Sequence, residues 1–327
     1  MFPKKKSNLN LSVEVEPPRI HSRILEQAEI FNFTDAIRQM APFVELISVT
    51  NRPTFRMSSI STMKLILSVL RDTHQASCTF PVLHLTTRLS IHDTYNELLD
   101  ARRLGIEYLL PVLGDPRGPK AVRFFNNSID ILAFIKGITD PQFYSSHSLH
   151  CQSITKSNAD PIDDAIFEVG SIIDPNEYII TQNNKKIRIR ENQMNLFEKR
   201  VLLGSDFFIT QAIFDPFQAL NFLDEIETKN KPIGIGIIPP TFTIANQIGV
   251  PLPREIVTQL KSRTSKKEQF QLALQIAHET YSTLRENGIK WIHVYSLGKP
   301  SVLFSITQEI PEGAVGVNNA QTQGIRD

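Results

Sequence analysis

The segment Ile233-Gly-Ile-Gly-Ile-Ile238 decides the fold. It holds the sole Gly-x-Gly of the chain. In a doubly wound dinucleotide-binding sheet that signature, extended to GxGxxG, follows directly on the first strand and cradles a pyrophosphate. Here Gly234 and Gly236 lie late in the chain, inside a continuous apolar run. Such a run is the mark of a parallel strand covered on both faces, and glycines within it denote close backbone packing.

Seven other short apolar runs close on polar residues: Leu11–Glu16, Val44–Thr50, Phe80–Thr86, Glu107–Asp115, Phe167–Ile173, Asp206–Gln211 and Trp291–Ser296. Between them, apolar residues recur at helical spacing in Ser58–Leu70, Ile91–Leu104, Ser128–Ile135, Met194–Leu203, Pro216–Glu227 and Lys267–Glu286. Alternation of strand and helix implies a parallel sheet with helices outside it, and eight repeats favour closure. The expectation is an α/β fold, a single (β/α)8 TIM barrel over residues 1–312 with long βα loops. Those loops are Asn51–Ser58, Gly114–Asn127, Asp174–Asn192 and Pro239–Glu255, all after strand C-termini. Thr139–Asp164 reads as an irregular connection on the opposite face, and residues 313–327 as a flexible tail.

With 41% hydrophobic and 21% charged residues, the chain has the composition of a soluble globular protein. Its 35 basic and 34 acidic residues leave a formal charge of +1, too little to steer nucleic acid or an anionic membrane. Cys78 and Cys151 make neither a disulfide framework nor a CxxC pair. No run approaches a membrane span, and the basic start lacks an apolar signal region, so a cytoplasmic location is expected.

In a barrel, alternate residues point inward and the top layer meets the ligand at the C-terminal face. Ser12, Glu14 and Glu16 share one parity, while Leu11, Val13 and Val15 share the other. Glu14 therefore projects into the mouth, where desolvation favours the raised pKa of a general acid. Later strand ends carry Thr50, His84 and Thr86, Asp115, Ser171 or Asp174, Gln211, and Tyr295 with Lys299 beyond it. Glu14 and Asp115 form a candidate pair of carboxylates in one cavity, one giving a proton and one setting charge. No metal is expected, because His84 has no second His or Cys at ligand spacing. Nucleophile elbow and Walker motifs are lacking too.

Ser12-Val-Glu-Val-Glu-Pro-Pro-Arg19 resembles the first-strand motif of the methylenetetrahydrofolate reductase family, an acidic residue two positions from Pro-Pro. Ile47-Ser-Val-Thr50, His84-Leu-Thr-Thr87 and Leu113-Gly-Asp115 resemble its second, third and fourth strand ends. Phe167–Asn176, Gly204–Gln211 and Ile292–Lys299 are similar to its fifth, sixth and eighth. The resemblance implies an FAD-dependent barrel that reduces 5,10-methylenetetrahydrofolate to the 5-methyl form in ping-pong fashion, with NADH or NADPH as co-substrate. Glu14 is then the acid that protonates the folate ring nitrogen, and Asp115 binds pterin and lies near the flavin. Gln211 and Lys299 hold substrate, while Thr50, His84, Gly114, Asp115 and Arg200 match positions that hold FAD. A homo-oligomer, one-carbon metabolism, and no S-adenosylmethionine control also follow from it.

Three departures keep alternatives open. Leu113 stands where the family has arginine, Ile173-Asp-Pro-Asn176 replaces a Tyr-Pro-Glu…His signature, and Lys299 replaces an arginine. The insertion with Lys185, Lys186, Arg188 and Arg190 reads as a solvated loop in preference to a phosphate clamp. A tetrahydromethanopterin-type carrier, a protein electron donor, or a non-catalytic barrel that binds folate or a partner are the competing readings.

Overall fold

The computed structural model describes residues 10–21, 24–25, 27–50, 56–114, 124–139, 162, 167–182, 185–228 and 230–308. Eight strands form a closed barrel: β1 (Leu11–Val15), β2 (Leu46–Val49), β3 (Phe80–Thr86), β4 (Tyr108–Val112), β5 (Glu168–Ile173), β6 (Phe207–Thr210), β7 (Ile233–Ile237) and β8 (Ile292–Tyr295). Each pairs in parallel with its sequence neighbours, and β1 closes on β8 with Glu14 beside Tyr295. The segment around Gly234 and Gly236 is the seventh strand, so its glycines serve packing.

Strand parity sorts the side chains as the sequence suggests. Val13, Val15, Ile47, Val49, Leu83, Leu85, Ile235, Ile237 and Val294 face the helices in one continuous apolar cluster. The alternate positions fill the barrel. Its lower interior is an apolar cluster of Leu46, Val82, Tyr108, Leu110, Phe207, Ile209 and Trp291. Rings run across it: Phe80 to Tyr108 at 5.8 Å, Tyr108 to Phe207 at 6.2 Å, and Phe207 to Trp291 at 6.0 Å between centroids. Room for these rings comes from glycine. A Cβ on Gly170 would lie 2.3 Å from Phe207, and one on Gly234 2.7 Å from Trp291.

The helices outside are α1 (Gln27–Met40), α2 (Ser59–Asp72), α3 (Ile91–Leu104), α4 (Ser128–Thr139), α5 (Ile189–Leu202), α6 (Pro216–Glu225), α7 (Phe242–Ile248), α8 (Arg254–Lys261), α9 (Lys266–Glu286) and α10 (Pro300–Thr307). Their starts follow capping chemistry: Ser58 and Ser90 accept from the amides of Ser61 and Asp93, and Ser265 with Glu268 makes a capping box. Gly105, at φ 71°, ends α3 in the left-handed region that favours glycine.

Two stretches expected to be loops carry regular structure. Within Asp174–Asn192, Ile179–Gln182 pairs antiparallel with Lys185–Arg188, and α5 begins at Ile189. Within Pro239–Glu255, Thr241 caps the short helix α7, whose hydroxyl accepts from the Ile244 amide. The basic insertion is part solvated: the Arg188 side chain is exposed, as the sequence suggests, whereas Arg190 is not. Arg190 is largely buried and pairs with Glu177 and with Glu225, the latter at 2.6 Å, so its charge is taken up within the protein. Of the expected irregular connection Thr139–Asp164, all but Thr139, the last residue of α4, and Ile162 fall outside the described residues, as does the tail 313–327.

Candidate active site

Above the apolar floor lies a neutral polar layer. Trp291 Nε1 donates to Ser12 Oγ at 2.8 Å, and Ser12 Oγ lies 2.8 Å from His293 Nδ1. Ser48 Oγ is hydrogen-bonded to His84 Nε2. Burial holds both imidazoles down at about 3, helped at His293 by the proximity of His84. His84 was expected at the mouth, and it sits in this layer instead, among buried partners. Ser12 shows its inward parity in the sequence, whereas Ser48 and His293, as single polar residues within apolar runs, resemble ordinary interruptions; their signal is the same inward parity.

The mouth comes next along the same parity. Glu14 is partly buried, between Tyr295 on β8 and Ser48 on β2 in register. Ser296 Oγ donates to the Glu14 carbonyl at 2.9 Å, fixing the strand end. The Tyr295 phenol donates to the Thr210 carbonyl at 2.8 Å, and its ring stands edge-on to His293 at 4.8 Å. Burial, then the carboxyls of Glu14 and Asp174, push this phenol well above its ordinary range. Both carboxyls therefore lie near enough to the phenol to act on it through space.

Asp174, just past β5, is the second carboxylate of this mouth among the described residues. Its oxygens accept from the Asn176 amide at 3.0 Å, Asn176 Nδ2 at 2.7 Å and the Tyr178 hydroxyl at 2.8 Å. Burial raises its pKa, and those hydrogen bonds oppose the rise. Asp115, which was expected to fill this role, lies outside the described residues.

Around the rim, Gln211 is partly buried and its Oε1 accepts from the Ala212 amide at 3.1 Å. Gly114 has φ 76°, and a Cβ there would approach Thr86 to 3.3 Å. Lys299 is exposed, at the entrance to α10. Arg200 on α5 is buried, and burial lowers its pKa to about 10. Its Nη1 donates to Gln193 Oε1 at 3.3 Å, and the same oxygen accepts from the Asp174 amide at 3.4 Å. Thr50 Oγ1 and Arg200 Nε are buried without a hydrogen-bond partner. Among the described residues, no group of three or more His, Cys, Asp or Glu stands together as a metal would need. None of the described helices is long and apolar enough to cross a membrane.

Known proteins give this geometry a context. The chain spans 91% of its own length and 93% of the partner's in superposing on an uncharacterized protein from Clostridium thermocellum that binds two copies of 5-methyl-5,6,7,8-tetrahydrofolic acid. The TM-score is 0.55 and the identity 13%, a likeness of fold. Among curated proteins no sequence matches. The sequence profile of the methylenetetrahydrofolate reductase family, however, matches residues 3–311, nearly the whole chain. This barrel therefore belongs to the methylenetetrahydrofolate reductase family.

Proposed function

We propose that the protein is an FAD-dependent reductase that converts 5,10-methylenetetrahydrofolate, or a closely related methylene-pterin, to the 5-methyl form, with NADH or NADPH as donor. The observation that carries this reading is Glu14, held at the mouth of a barrel of this family beside Tyr295 and the partly buried Asp174. The residues present fit a flavin. Orphaned buried polar atoms are costly, by about 1–3 kcal/mol each, and Thr50 Oγ1 and Arg200 Nε are two such atoms. Gly114 offers a backbone that a ligand can approach without meeting a Cβ. Thr50, Gly114 and Arg200 would hold the FAD, with His84 beneath; when bound, it supplies hydride transfer.

Glu14, partly buried, delivers the proton that opens the methylene bridge of the folate. Gln211 hydrogen-bonds the substrate, and Lys299 meets the folate tail from the exposed rim. Asp115 orients the pterin in this reading.

The test separates two half-reactions. Protein supplied with FAD should show flavin absorbance that NADH or NADPH bleaches and methylenetetrahydrofolate restores. Glu14→Gln should keep the bleaching and lose the restoration by a factor of about 10² or more. Equal loss of both would refute the role of Glu14, and failure to bind FAD would overturn the reading.

A second reading has one observation in its favour. Leu113 is 45% exposed at the fourth strand end, where the family's arginine would stand. A barrel that binds a folate without reducing it fits such a change, and so does a reductase served by a protein donor or acting on a tetrahydromethanopterin-type carrier. The bleaching assay with each donor and carrier separates these.

A further inference from the structure

Nη2 of Arg88 is buried without a hydrogen-bond partner, and none of the ion pairs among the described residues includes this arginine. Arg88 lies two residues past the end of β3, in a turn closed by the Leu89 amide on the Thr86 carbonyl at 3.1 Å. The residue before it is tied down on two sides. The Thr87 hydroxyl donates to the Leu113 carbonyl at 2.7 Å, and the Thr87 carbonyl accepts from the Phe124 amide at 2.9 Å. These bonds lace the third strand end to the fourth and fix where the arginine begins. Its stem runs beside Gly114, where an added Cβ would stand 3.8 Å from Arg88 Cδ. The guanidinium therefore starts from the same stretch of backbone that a ligand can approach closely.

Sealing a guanidinium nitrogen from water with nothing to receive its hydrogen is unfavourable, and an anion that takes the fork offsets that cost. Next to it, Leu113 brings no charge to the fourth strand end, where the family has an arginine. We propose that Arg88 provides, from the third strand end, the guanidinium that holds the diphosphate of FAD, so that the cation missing at residue 113 has moved to the adjacent strand. The inference rests on the FAD reading above. Two features favour a diphosphate as the anion. Phosphate oxygens match the planar fork of an arginine, which binds them through paired hydrogen bonds. The position is also on the flavin side of the barrel. Thr50, His84 and Gly114 belong to the second, third and fourth strands or their exits, whereas Gln211 and Lys299, assigned to the folate, follow the sixth and eighth. A carboxylate of the folate tail is the other anion that a guanidinium could hold, and the experiment tells the two apart.

Wild type, Arg88→Met and the double variant Arg88→Met/Leu113→Arg, each freed of flavin, are dialysed to equilibrium against FAD and read by flavin absorbance. Arg88→Met should weaken FAD binding by about tenfold, and adding Leu113→Arg should bring it back to within about threefold of the wild type. Thermal melting without FAD supplies the control for a merely structural arginine. Because methionine removes an unpartnered buried cation, Arg88→Met should melt no lower than the wild type. A lower melt, or failure to fold, would give the arginine a structural role and overturn the proposal. So would FAD affinity within about twofold of the wild type, or a loss that Leu113→Arg does not repair. Unchanged FAD affinity with weakened binding of 5-methyltetrahydrofolate to the FAD-loaded protein would assign the arginine to the folate tail instead, and also overturn it. Wild type that takes up no FAD defeats the FAD reading itself, whereas wild-type binding that Arg88→Met leaves intact defeats this inference alone.

Discussion

Acidification from pH 7 to pH 5 should weaken this fold through its two interior histidines. His84 and His293 are buried in the polar middle layer, and burial holds both at about 3, well below the 6.5 of the unfolded chain. Below pH 6.5 the unfolded chain takes up two protons that the native barrel refuses, so stability is full above that value and is lost as pH falls toward 3. Over the window from pH 7 to pH 5 each histidine removes about 2 kcal/mol. Glu97 on α3 works in the opposite sense. Burial, with Asp93 and Asp100 as neighbours on the same helix, pushes its carboxyl up to about 7, so the native state binds its proton first and gains about 2 kcal/mol over the same window. Between them these three groups cost the wild type about 2 kcal/mol, and Glu97→Gln, which removes the offset, should raise that loss by about 2. Urea unfolding of both proteins at pH 7 and pH 5 measures the difference. A wild type that loses nothing, together with a Glu97→Gln variant no steeper than it, would refute neutral histidines in the native barrel.

Other perturbations address the mouth. Arg200→Gln should weaken FAD binding by about tenfold through loss of a charge-assisted contact, read by equilibrium dialysis with flavin absorbance. Gly236→Ala would place a Cβ 2.6 Å from the Thr210 carbonyl and 2.7 Å from the Tyr295 ring, so it should cost about 1–3 kcal/mol in thermal denaturation and weaken folate binding by displacing the tyrosine.

The barrel was legible because parallel strands covered on both faces are largely apolar, and seven of the eight runs end on or just before a polar residue. The parity of Leu11–Glu16 placed Glu14 in the mouth for the same reason, since Val13 and Val15 pack against the helices. What lay beyond reading depended on contacts far apart in sequence. The hairpin at Ile179–Arg188 and the short helix α7 lie in segments whose polarity reads as loop, and their regularity comes from local backbone pairing and a Thr241 cap. The fate of Arg190 turned on Glu225, thirty-five positions away, which no spacing rule connects to it. The middle layer was hidden similarly: Ser12 meets Trp291 and His293 only once the barrel closes.

That layer explains how the site can hold acids over an apolar floor. A charge set directly on the rings of Tyr108, Phe207 and Trp291 would lose hydration worth several kcal/mol. Neutral hydroxyl and imidazole groups cost far less once hydrogen-bonded, and here serine and histidine satisfy one another in pairs. They separate floor from mouth by one residue repeat per strand, as Ser12 lies beneath Glu14 and His293 beneath Tyr295. The mouth then holds Glu14 and Asp174, both partly buried, near a phenol. The same burial that keeps His84 and His293 neutral makes the fold sensitive to acid.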